Sequence, residues 1–189
     1  MLRPTYPLET PRLLLRPFTG GDLDALHAIR SRSDVTRYLY WNTQSREEVR
    51  KVLESRAQQS KVEAEGDTLV LAMVLRDSGA LIGDVNLHLL SQEHRQGEIG
   101  FVLHPDYHGQ GLATEASVVM LRLGFEELGL HRIIGRCDAR NKASARLMER
   151  LGMRREAHFR DNEIVKGEWC GEYVYALLAT EWRNAGAKV

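Results

Sequence analysis

Two glycines, Gly109 and Gly111, constrain the fold of this chain more than any other feature. They lie in residues 104–116, His-Pro-Asp-Tyr-His-Gly-Gln-Gly-Leu-Ala-Thr-Glu-Ala, between a predicted strand that ends at Leu103 and a predicted helix that begins at Leu112. A strand, a tight loop and a helix start leave several unpaired main-chain N–H groups at the positive end of the helix dipole. The sequence therefore predicts an anion site here, since glycine permits positive φ and lets a phosphate approach the amides.

Glycines at this spacing also occur in three different kinds of loop. On the glycines alone, a loop that needs glycine only for its turn stays open. A P-loop needs Gly-Lys-Ser or Gly-Lys-Thr after four intervening residues, and no such run follows either glycine. A dinucleotide fingerprint needs a third glycine where Thr114 stands, in the first strand–helix unit, whereas this loop lies past the midpoint of the chain. Both nucleotide motifs are therefore disfavoured.

Apolar patterning along the rest of the chain predicts an α/β fold. Short apolar or alternating runs, typical of strands, occupy residues 12–18, 68–75, 82–89, 98–103, 131–137 and 172–178. Helical spacing occupies residues 23–29, 45–65, 112–128 and 142–151. We expect Asp22 to cap the first of these helices, and the second to be exposed and weakly anchored. This order of elements indicates a mixed sheet with helices on both faces.

Composition limits the class of protein. The length of 189 residues and a 43% hydrophobic content predict one domain over residues 1–189. The 26 basic and 26 acidic side chains cancel, so we expect neither nucleic acid nor a membrane as a partner. No apolar run has the length of a membrane span or a signal peptide. With only Cys137 and Cys170, a reducing cytoplasm is the expected compartment, and no spacing of histidine or cysteine predicts a metal site.

The glycine loop resembles a motif of one enzyme superfamily. Residues 108–113, His-Gly-Gln-Gly-Leu-Ala, are similar to the acyl-CoA pyrophosphate loop of the GNAT superfamily of N-acetyltransferases, and His108 departs from the usual Gln or Arg. Six further segments resemble, in the same order, the ribosomal-protein N-terminal acetyltransferase subfamily: residues 10–16, 97–101, 141–144, 151–153, 160–163 and 172–178. The last two of these ranges resemble the closing strands of that subfamily. The similarity covers nearly the whole chain and is weakest between about residues 35 and 65.

The resemblance implies a GNAT-like central mixed sheet, mostly antiparallel and twisted, with helices on both faces. It implies acetyl-CoA as a cosubstrate, without a metal. The implied binding residues are Phe101, Val102, Leu103, His108, Gly109, Gln110, Gly111, Ala113, Thr114 and Asn141. The implied acceptor is the α-amine of a protein. A small amine (a polyamine, an amino sugar or an amino acid) and a non-catalytic acyl-CoA-binding module stay as alternatives, and a homodimer is left open.

Acetyl transfer to an amine requires three chemical roles. The amine must lose a proton, the tetrahedral oxyanion needs donors, and the leaving thiolate, with a pKa of about 8.5, benefits from a proton. The resemblance implies a main-chain N–H of residues 101–103 for the oxyanion and Ser144 for the thiolate. We expect Asn141 to cap the helix that begins at Lys142, which puts Ser144 in its first turn. A serine that bonds its own backbone is the simpler alternative.

Two glutamates are candidates for the base. Glu163 matches the proposed catalytic glutamate of the resembling subfamily, although its charged neighbours equally fit a solvated loop. Glu98 lies on the strand that leads to the glycine loop, so it can point to the cleft directly or through a water. Its alternative is an ion pair with Arg95 or with a neighbouring strand. The aromatic side chains within residues 38–41 fit either an acceptor cleft or the core.

Overall fold

The computed structural model describes residues 1–185. Its strands are β1 (Leu8–Glu9), β2 (Leu13–Arg16), β3 (Thr68–Leu75), β4 (Leu81–Ser91), β5 (Gln96–Leu103), β6 (Arg132–Asp138), β7 (Arg154–Val165) and β8 (Glu168–Leu178). Its α-helices are α1 (Leu23–Arg30), α2 (Ser33–Thr36), α3 (Arg46–Gln58), α4 (Leu112–Arg122), α5 (Lys142–Arg150) and α6 (Ala179–Ala185). Short 3-10 turns lie at Gly20–Asp22 and Pro105–Tyr107, and α4 continues as a π-helical turn over Leu123–Glu127.

These strands form one eight-stranded sheet in the order β1-β2-β3-β4-β5-β6-β8-β7. Every neighbouring pair is antiparallel except β5 and β6, which are parallel. A parallel pair needs a crossover connection, and α4 supplies it. The predicted mixed, mostly antiparallel sheet is confirmed. The parallel pair positions the site, because β5 and β6 both lead to the N-terminus of a helix at the same edge of the sheet.

Helices cover both faces of the sheet, as predicted. On one face α4 and α5 pack on a large core that includes Leu87, Met120 and Met148. On the other face α1 and α3 pack on a smaller core that includes Leu26 and Val49. Each helix buries one apolar stripe and exposes the opposite side, which is the arrangement that helical spacing predicts.

The helix predicted over residues 45–65 is shorter and better anchored than expected. It ends at Gln58, and its first turn is a capping box in which the Ser45 N–H donates to Glu48 at 2.7 Å. Val49 and Leu53 are 0% and 5% exposed. Two apolar side chains at i and i+4 suffice to dock a turn of helix, so the expectation of a weak anchor is wrong.

Asp22 does not cap α1 with its side chain. Its carboxylate accepts hydrogen bonds from the Arg16 guanidinium at 2.7 and 2.8 Å and from the Thr19 N–H at 2.7 Å. The cap therefore lies one turn earlier, at the start of the 3-10 turn, and the prediction for Asp22 is corrected. Arg16 lies on β2, so this ion pair also fixes where α1 begins relative to the sheet.

The charged segment around Glu163 forms part of β7 and not a loop. β7 pairs only with β8 at the edge of the sheet, and most of its side chains are exposed. Most side chains of this strand face water and show no apolar alternation, which is why the local composition fitted a solvated loop as well as a strand. The closing strands implied by the resemblance are present, and residues 160–162 bulge out between Phe159 and Glu163.

Candidate active site

A gap opens between the two parallel strands. β5 and β6 pair only from Gln96 opposite Arg132 to Glu98 opposite Ile134. Both strands continue, β5 to Leu103 and β6 to Asp138, without further pairing between them. An extended ligand can lie between residues 99–103 and 135–138 and hydrogen-bond to the free strand edges, as an added strand would.

The free main-chain N–H groups of β5 in this gap belong to Phe101 and Leu103. The His104 N–H donates to β4 at 2.8 Å, and the register puts Val102 opposite Asp84. Because main-chain groups alternate in direction along a strand, those of Val102 point to β4 and those of Phe101 and Leu103 point into the gap. Of the three residues implied as oxyanion donors, only Phe101 and Leu103 can therefore offer an N–H to a ligand.

Gly109 and Gly111 adopt the left-handed conformation that makes glycine necessary in this loop. Their φ angles are 75° and 77°, and a Cβ on Gly109 would meet no protein atom within 4 Å. The backbone conformation, and not crowding by the protein, therefore demands glycine. His108, the residue that departs from the family motif, has its Nε2 3.1 Å from the Leu103 carbonyl and so ties the loop to the end of β5.

The loop and the first turn of α4 present a run of free donors. Within residues 1–185, none of the six main-chain N–H groups from Gly109 to Thr114 donates to a main-chain carbonyl, and the first helical bond runs from Glu115 to Gly111 at 3.0 Å. The Thr114 hydroxyl, by contrast, is fully buried without a hydrogen-bond partner in that range, so it adds no donor to the surface of the loop. Converging donors at a helix N-terminus bind phosphate groups. The residues present therefore fit the pyrophosphate of an acyl-CoA.

Arg12 and Glu115 brace this loop, and the sequence reasoning did not single them out. Arg12 Nε donates to Glu115 at 2.7 Å, and Arg12 Nη1 donates to the Gln110 carbonyl at 2.8 Å. Thr10 Oγ1 donates to Glu115 at 2.6 Å. Burial acts to raise the pKa of Glu115, but the hydrogen bonds from Thr10 and Arg12 outweigh burial and lower it. Arg12 and Glu115 are 103 positions apart, so no local pattern signals the contact.

α5 begins beyond the C-terminal end of β6, beside the gap. Asn141 caps the helix, since its Oδ1 accepts the Ser144 N–H at 3.1 Å. The predicted cap and the first-turn position of Ser144 are confirmed. Within residues 1–185 the Ser144 hydroxyl makes no hydrogen bond, so it is not engaged with its own backbone. The half-buried hydroxyl is available to a ligand in the gap.

Glu98 lies where the pairing of β5 and β6 ends, on the face of the sheet that carries α1 and α3. Its carboxylate accepts from Arg136 Nε at 3.1 Å and from Arg136 Nη2 at 2.8 Å. This bidentate pair joins the neighbouring strands β5 and β6, and it is one of the two ion pairs that the sequence left open for Glu98. The hydrogen bond to Glu98 raises the pKa of Arg136. Arg136 is thus held at the base of the gap.

Glu163 accepts a hydrogen bond from the Tyr40 hydroxyl at 2.6 Å. Tyr40 belongs to the connection between α2 and α3, and Glu163 belongs to β7. Lys166, in the turn between β7 and β8, donates to the Thr36 carbonyl at 2.6 Å and supports the same approach. Burial, and then the hydrogen bond to Glu163, raise the pKa of Tyr40, so its hydroxyl stays a donor at neutral pH. Thr36 and Tyr40 belong to the segment of about residues 35–65 in which the resemblance is weakest, so this segment lies against the face that carries Glu163.

Glu172 is a third glutamate on this face, and the sequence reasoning missed it. The register places it on β8 opposite Asp138 of β6 and Phe159 of β7. Glu172 is 8% exposed. The sequence did contain a signal for it: Glu172 and Val174 are two positions apart in the predicted strand, and alternate positions of a strand lie on the same face. A glutamate on the same face as an apolar side chain is a candidate for a buried carboxylate.

The side chains Glu98, Glu163, Glu172, Arg136 and Tyr40 form one group, which we name the glutamate cluster. Burial is the main cause that raises the pKa of Glu172; Arg136 acts to lower it, and the charges of Glu163 and Glu98 raise it further. Glu172 also acts on Arg136 and Tyr40. With three carboxylates and one guanidinium, the cluster favours a cationic ligand.

Other site chemistries can be checked over residues 1–185. In that range no group of three or more His, Cys, Asp or Glu side chains could hold a metal ion. None of the helices described there is long and apolar enough to cross a bilayer. Cys137 and Cys170 are free thiols, and burial raises the pKa of Cys137 to about 11, so neither is placed as a nucleophile.

Comparisons with known proteins agree with this geometry. Residues 12–154 match the acetyltransferase (GNAT) domain. The uncharacterized N-acetyltransferase YnaD of Bacillus subtilis (strain 168) is 35% identical over 176 residues, which cover 93% of this chain and 98% of that protein. The crystal structure of a GNAT-family acetyltransferase from Bacillus anthracis covers 96% of this chain and 100% of its own, with 34% identity and a TM-score of 0.82.

Several relatives have acceptors in their names, and two of them illustrate the range. The spermidine N(1)-acetyltransferase of Escherichia coli (strain K12) is 24% identical over 155 residues, which cover 82% of this chain and 80% of that protein. The ribosomal protein uS5-alanine N-acetyltransferase of Escherichia coli (strain K12) is 29% identical over 84 residues, which cover 44% of this chain and 43% of that protein. The two names state different acceptors, a polyamine and an alanine of a ribosomal protein.

Proposed function

The chain belongs to the GNAT acetyltransferase family and is an acetyl-CoA-dependent acyltransferase, and on this premise we propose that it acetylates the α-amine of a protein by direct attack in a ternary complex. The observation that carries the proposal is the open gap between β5 and β6. The gap lies between a loop of free N–H donors and a cluster of carboxylates. Such a site can hold a phosphorylated acyl donor on one side and an ammonium on the other.

Residues of the loop and the gap are proposed to bind acetyl-CoA. The N–H groups of residues 109–114 hold its pyrophosphate, and His108 keeps the loop attached to β5. The free edge of β5 at Phe101 and Leu103 hydrogen-bonds the extended pantetheine arm, together with the side chain of Asn141. Support comes from the N–H groups of Phe101 and Leu103, which point into the gap where β5 and β6 no longer pair, since polar groups without partners favour a ligand that supplies them.

Ser144 is proposed to protonate the leaving thiolate. An N–H at Phe101 or Leu103 stabilises the oxyanion while the amine attacks the acetyl carbon and the C–S bond breaks. The Ser144 hydroxyl has no protein acceptor within residues 1–185, so it is free to donate to the sulfur. Because a thiolate of pKa about 8.5 is already a fair leaving group at pH 7, this donor assists the step and does not carry it alone.

The base is proposed to belong to the glutamate cluster, in which Glu163 and Glu98 are the residues proposed from the sequence. Deprotonating an α-amine of pKa about 7.8 at pH 7 costs roughly 1 kcal/mol, whereas a lysine of pKa about 10.4 costs roughly 4.6 kcal/mol. A weakly basic carboxylate is therefore adequate for a protein amino terminus. This difference supports an α-amine over a lysine side chain as the acceptor.

A small polyamine is the second candidate acceptor, and the charge of the glutamate cluster favours it. Three carboxylates stand against one guanidinium, Arg136, and a polycation would satisfy more than one of them. The spermidine relative also spans most of this chain. Because the chain belongs to an acetyltransferase family, a non-catalytic binding module is no longer an alternative.

We further propose that the protein is located in the cytoplasm and assembles as a homodimer. Sedimentation velocity tests the proposed homodimer.

Acetyl-CoA-dependent release of thiol, measured against a panel of amines, tests the proposed function. The panel contains peptides that begin with Ala or Ser, the same peptides blocked at the α-amine, spermidine, and an amino sugar, and mass spectrometry locates the acetyl group. Turnover on the unblocked peptides alone supports the α-amine. Turnover on spermidine alone moves the assignment to a polyamine. A protein that binds acetyl-CoA but acetylates no amine contradicts the proposal.

A further inference from the structure

We propose that Glu172 is the carboxylate that takes the proton from the bound acceptor ammonium, and that Glu98 and Glu163 position the acceptor. The inference rests on the proposed function, because it names the base of the same site. It follows from which carboxylates of the glutamate cluster already have hydrogen-bond donors, and which one does not.

Glu98 and Glu163 are both occupied. The two oxygens of Glu98 accept from Nε and Nη2 of Arg136 in a bidentate pair. Glu163 accepts the Tyr40 hydroxyl at 2.6 Å. Both oxygens of Glu98 and one oxygen of Glu163 therefore already have a donor, which leaves fewer free acceptor positions for an ammonium on these residues than on Glu172. Both residues are therefore better suited to attract and orient an ammonium than to deprotonate it.

Glu172 differs from both in burial and in hydrogen bonding. The residue is 8% exposed, and within residues 1–185 no side-chain or main-chain donor reaches its carboxylate. Its oxygens are not among the fully occluded unpartnered polar atoms of that range, so they keep some accessible surface through which a ligand can reach them. A buried carboxylate without a donor is costly unless a ligand supplies one, and a cationic amine is such a ligand.

The charged groups that affect the pKa of Glu172 lie on three other strands of the glutamate cluster, β5, β6 and β7. Arg136 on β6 acts to lower its pKa, whereas burial, Glu163 on β7 and Glu98 on β5 raise it, with a net rise. The Tyr40 hydroxyl, which lies within electrostatic reach, stays neutral because its own pKa is raised, chiefly by burial. A carboxyl whose pKa moves up toward neutral pH is better matched to accept a proton from an amine.

The proposed step balances as follows. An N–H bond of the ammonium breaks, its electron pair stays on nitrogen, and the proton goes to the Glu172 carboxylate. The neutral amine attacks the acetyl carbon, and as the C–S bond breaks the nitrogen gives its second proton to the Ser144 oxygen while Ser144 gives its own proton to the sulfur. Glu172 then releases its proton to solvent. Each turnover of an ammonium therefore yields the amide, free CoA thiol and one proton.

Glu172→Gln tests the inference, with Glu168→Gln as the matched control. Glu168 lies on the same strand and face, its side chain is 73% exposed, and it pairs with Arg140 outside the glutamate cluster. The measurements are kcat and KM from thiol release between pH 6 and 10, with the acceptor that the wild type uses, and calorimetric Kd for acetyl-CoA. For an α-amine acceptor of pKa about 7.8, we expect Glu172→Gln to lower kcat roughly 6-fold at pH 7 and roughly 60-fold at pH 6, with an unchanged Kd for acetyl-CoA. Glu168→Gln is expected to match the wild type.

The pH profile separates a base from a structural residue. Without the base only free amine reacts, so the residual rate of Glu172→Gln is expected to rise about tenfold per pH unit up to the acceptor pKa. A kcat at pH 6 within threefold of the wild type overturns the inference. So does a loss that is equal at all pH values and is accompanied by weaker acetyl-CoA binding or a lower melting temperature.

Chemical rescue keeps the test valid if the amide variant does not fold. Glu172→Ala at pH 6 with added formate, a carboxylate small enough to occupy the vacated position, is expected to recover at least tenfold in rate, while Glu168→Ala shows no response. Absence of rescue in a folded Glu172→Ala overturns the inference. If the wild type itself acetylates no amine, the proposed function fails and the inference fails with it; if the wild type is active, only the inference is at stake.

Discussion

Replacing Gly109 with alanine tests the anion loop, and Gly129→Ala is its matched control. Gly109 precedes α4 with a φ of 75°, Gly129 follows the π-helical turn with a φ of 65°, and a Cβ at either site meets no protein atom within 4 Å. Both variants therefore impose only the left-handed conformation on a residue with a Cβ, which costs roughly 1–2 kcal/mol. The two glycines lie at opposite ends of a helical segment roughly 24 Å long.

The two variants are expected to lose similar stability but to differ in binding. For a chain of this size, 1–2 kcal/mol corresponds to a fall in Tm of about 2–8 °C in each variant. Only Gly109→Ala also changes the N–H groups that we assign to the pyrophosphate. If the altered loop must regain its original conformation to bind, the same 1–2 kcal/mol raises the Kd for acetyl-CoA by roughly 5- to 30-fold.

Calorimetric titration with acetyl-CoA and thermal unfolding by circular dichroism measure both quantities on the same samples. A Gly109→Ala protein that melts like the wild type, which means that its loop has relaxed, but keeps the Kd of the wild type would refute the assignment of the loop. If Gly129→Ala weakened acetyl-CoA binding as much as Gly109→Ala does, the loss of affinity would come from general destabilisation and not from the position of Gly109 in the anion loop.

Three further predictions concern single side chains. Ser144→Ala is expected to lower kcat by about tenfold or more with an unchanged Kd for acetyl-CoA, and full activity in thiol release would remove it from the leaving-group role. Glu163→Gln and Tyr40→Phe are each expected to raise KM for the acceptor several-fold but not KM for acetyl-CoA; equal changes in both would contradict a role in acceptor positioning. Burial acts to raise the pKa of Asp22, but hydrogen bonds from Arg16 and a main-chain N–H lower it below 3.8. Its stabilising contribution is therefore present above that pH and is lost as the pH falls through the pKa of the folded state. Lowering the pH from 7 to 3 should reduce the free energy of unfolding, measured with urea, more in the wild type than in Asp22→Asn. Equal reductions in the two proteins would disprove this prediction.

Local patterns predicted the parts of the site that depend on a few consecutive residues. The spacing around Gly109 and Gly111 predicted a left-handed loop before a helix, and both glycines have positive φ. Asn141 predicted the helix cap and the first-turn position of Ser144, and both are present. Such features are predictable because a positive φ or a cap depends on the residue itself and its neighbours within one turn.

The remaining contacts join residues that are distant in the chain. Arg12 reaches Glu115, Tyr40 reaches Glu163, and Glu172 becomes buried only because β8 lies between β6 and β7. Local composition around Glu163 also fitted a solvated loop as well as a strand, since most side chains of β7 face water. Neither the Arg12–Glu115 contact nor the Tyr40–Glu163 contact has a signal within one turn or one strand, and for Glu172 the local signal is limited to the face that it shares with Val174.

The sequence alone therefore determined the conformations of the loop and of the helix start, together with the fold class that connects them. Tertiary structure decided which carboxylates of the glutamate cluster are paired and that Glu172 is not. The physical reason is that φ preferences and caps act over a few residues, whereas burial and ion pairing depend on strand order, which is selected by the packing of the whole chain.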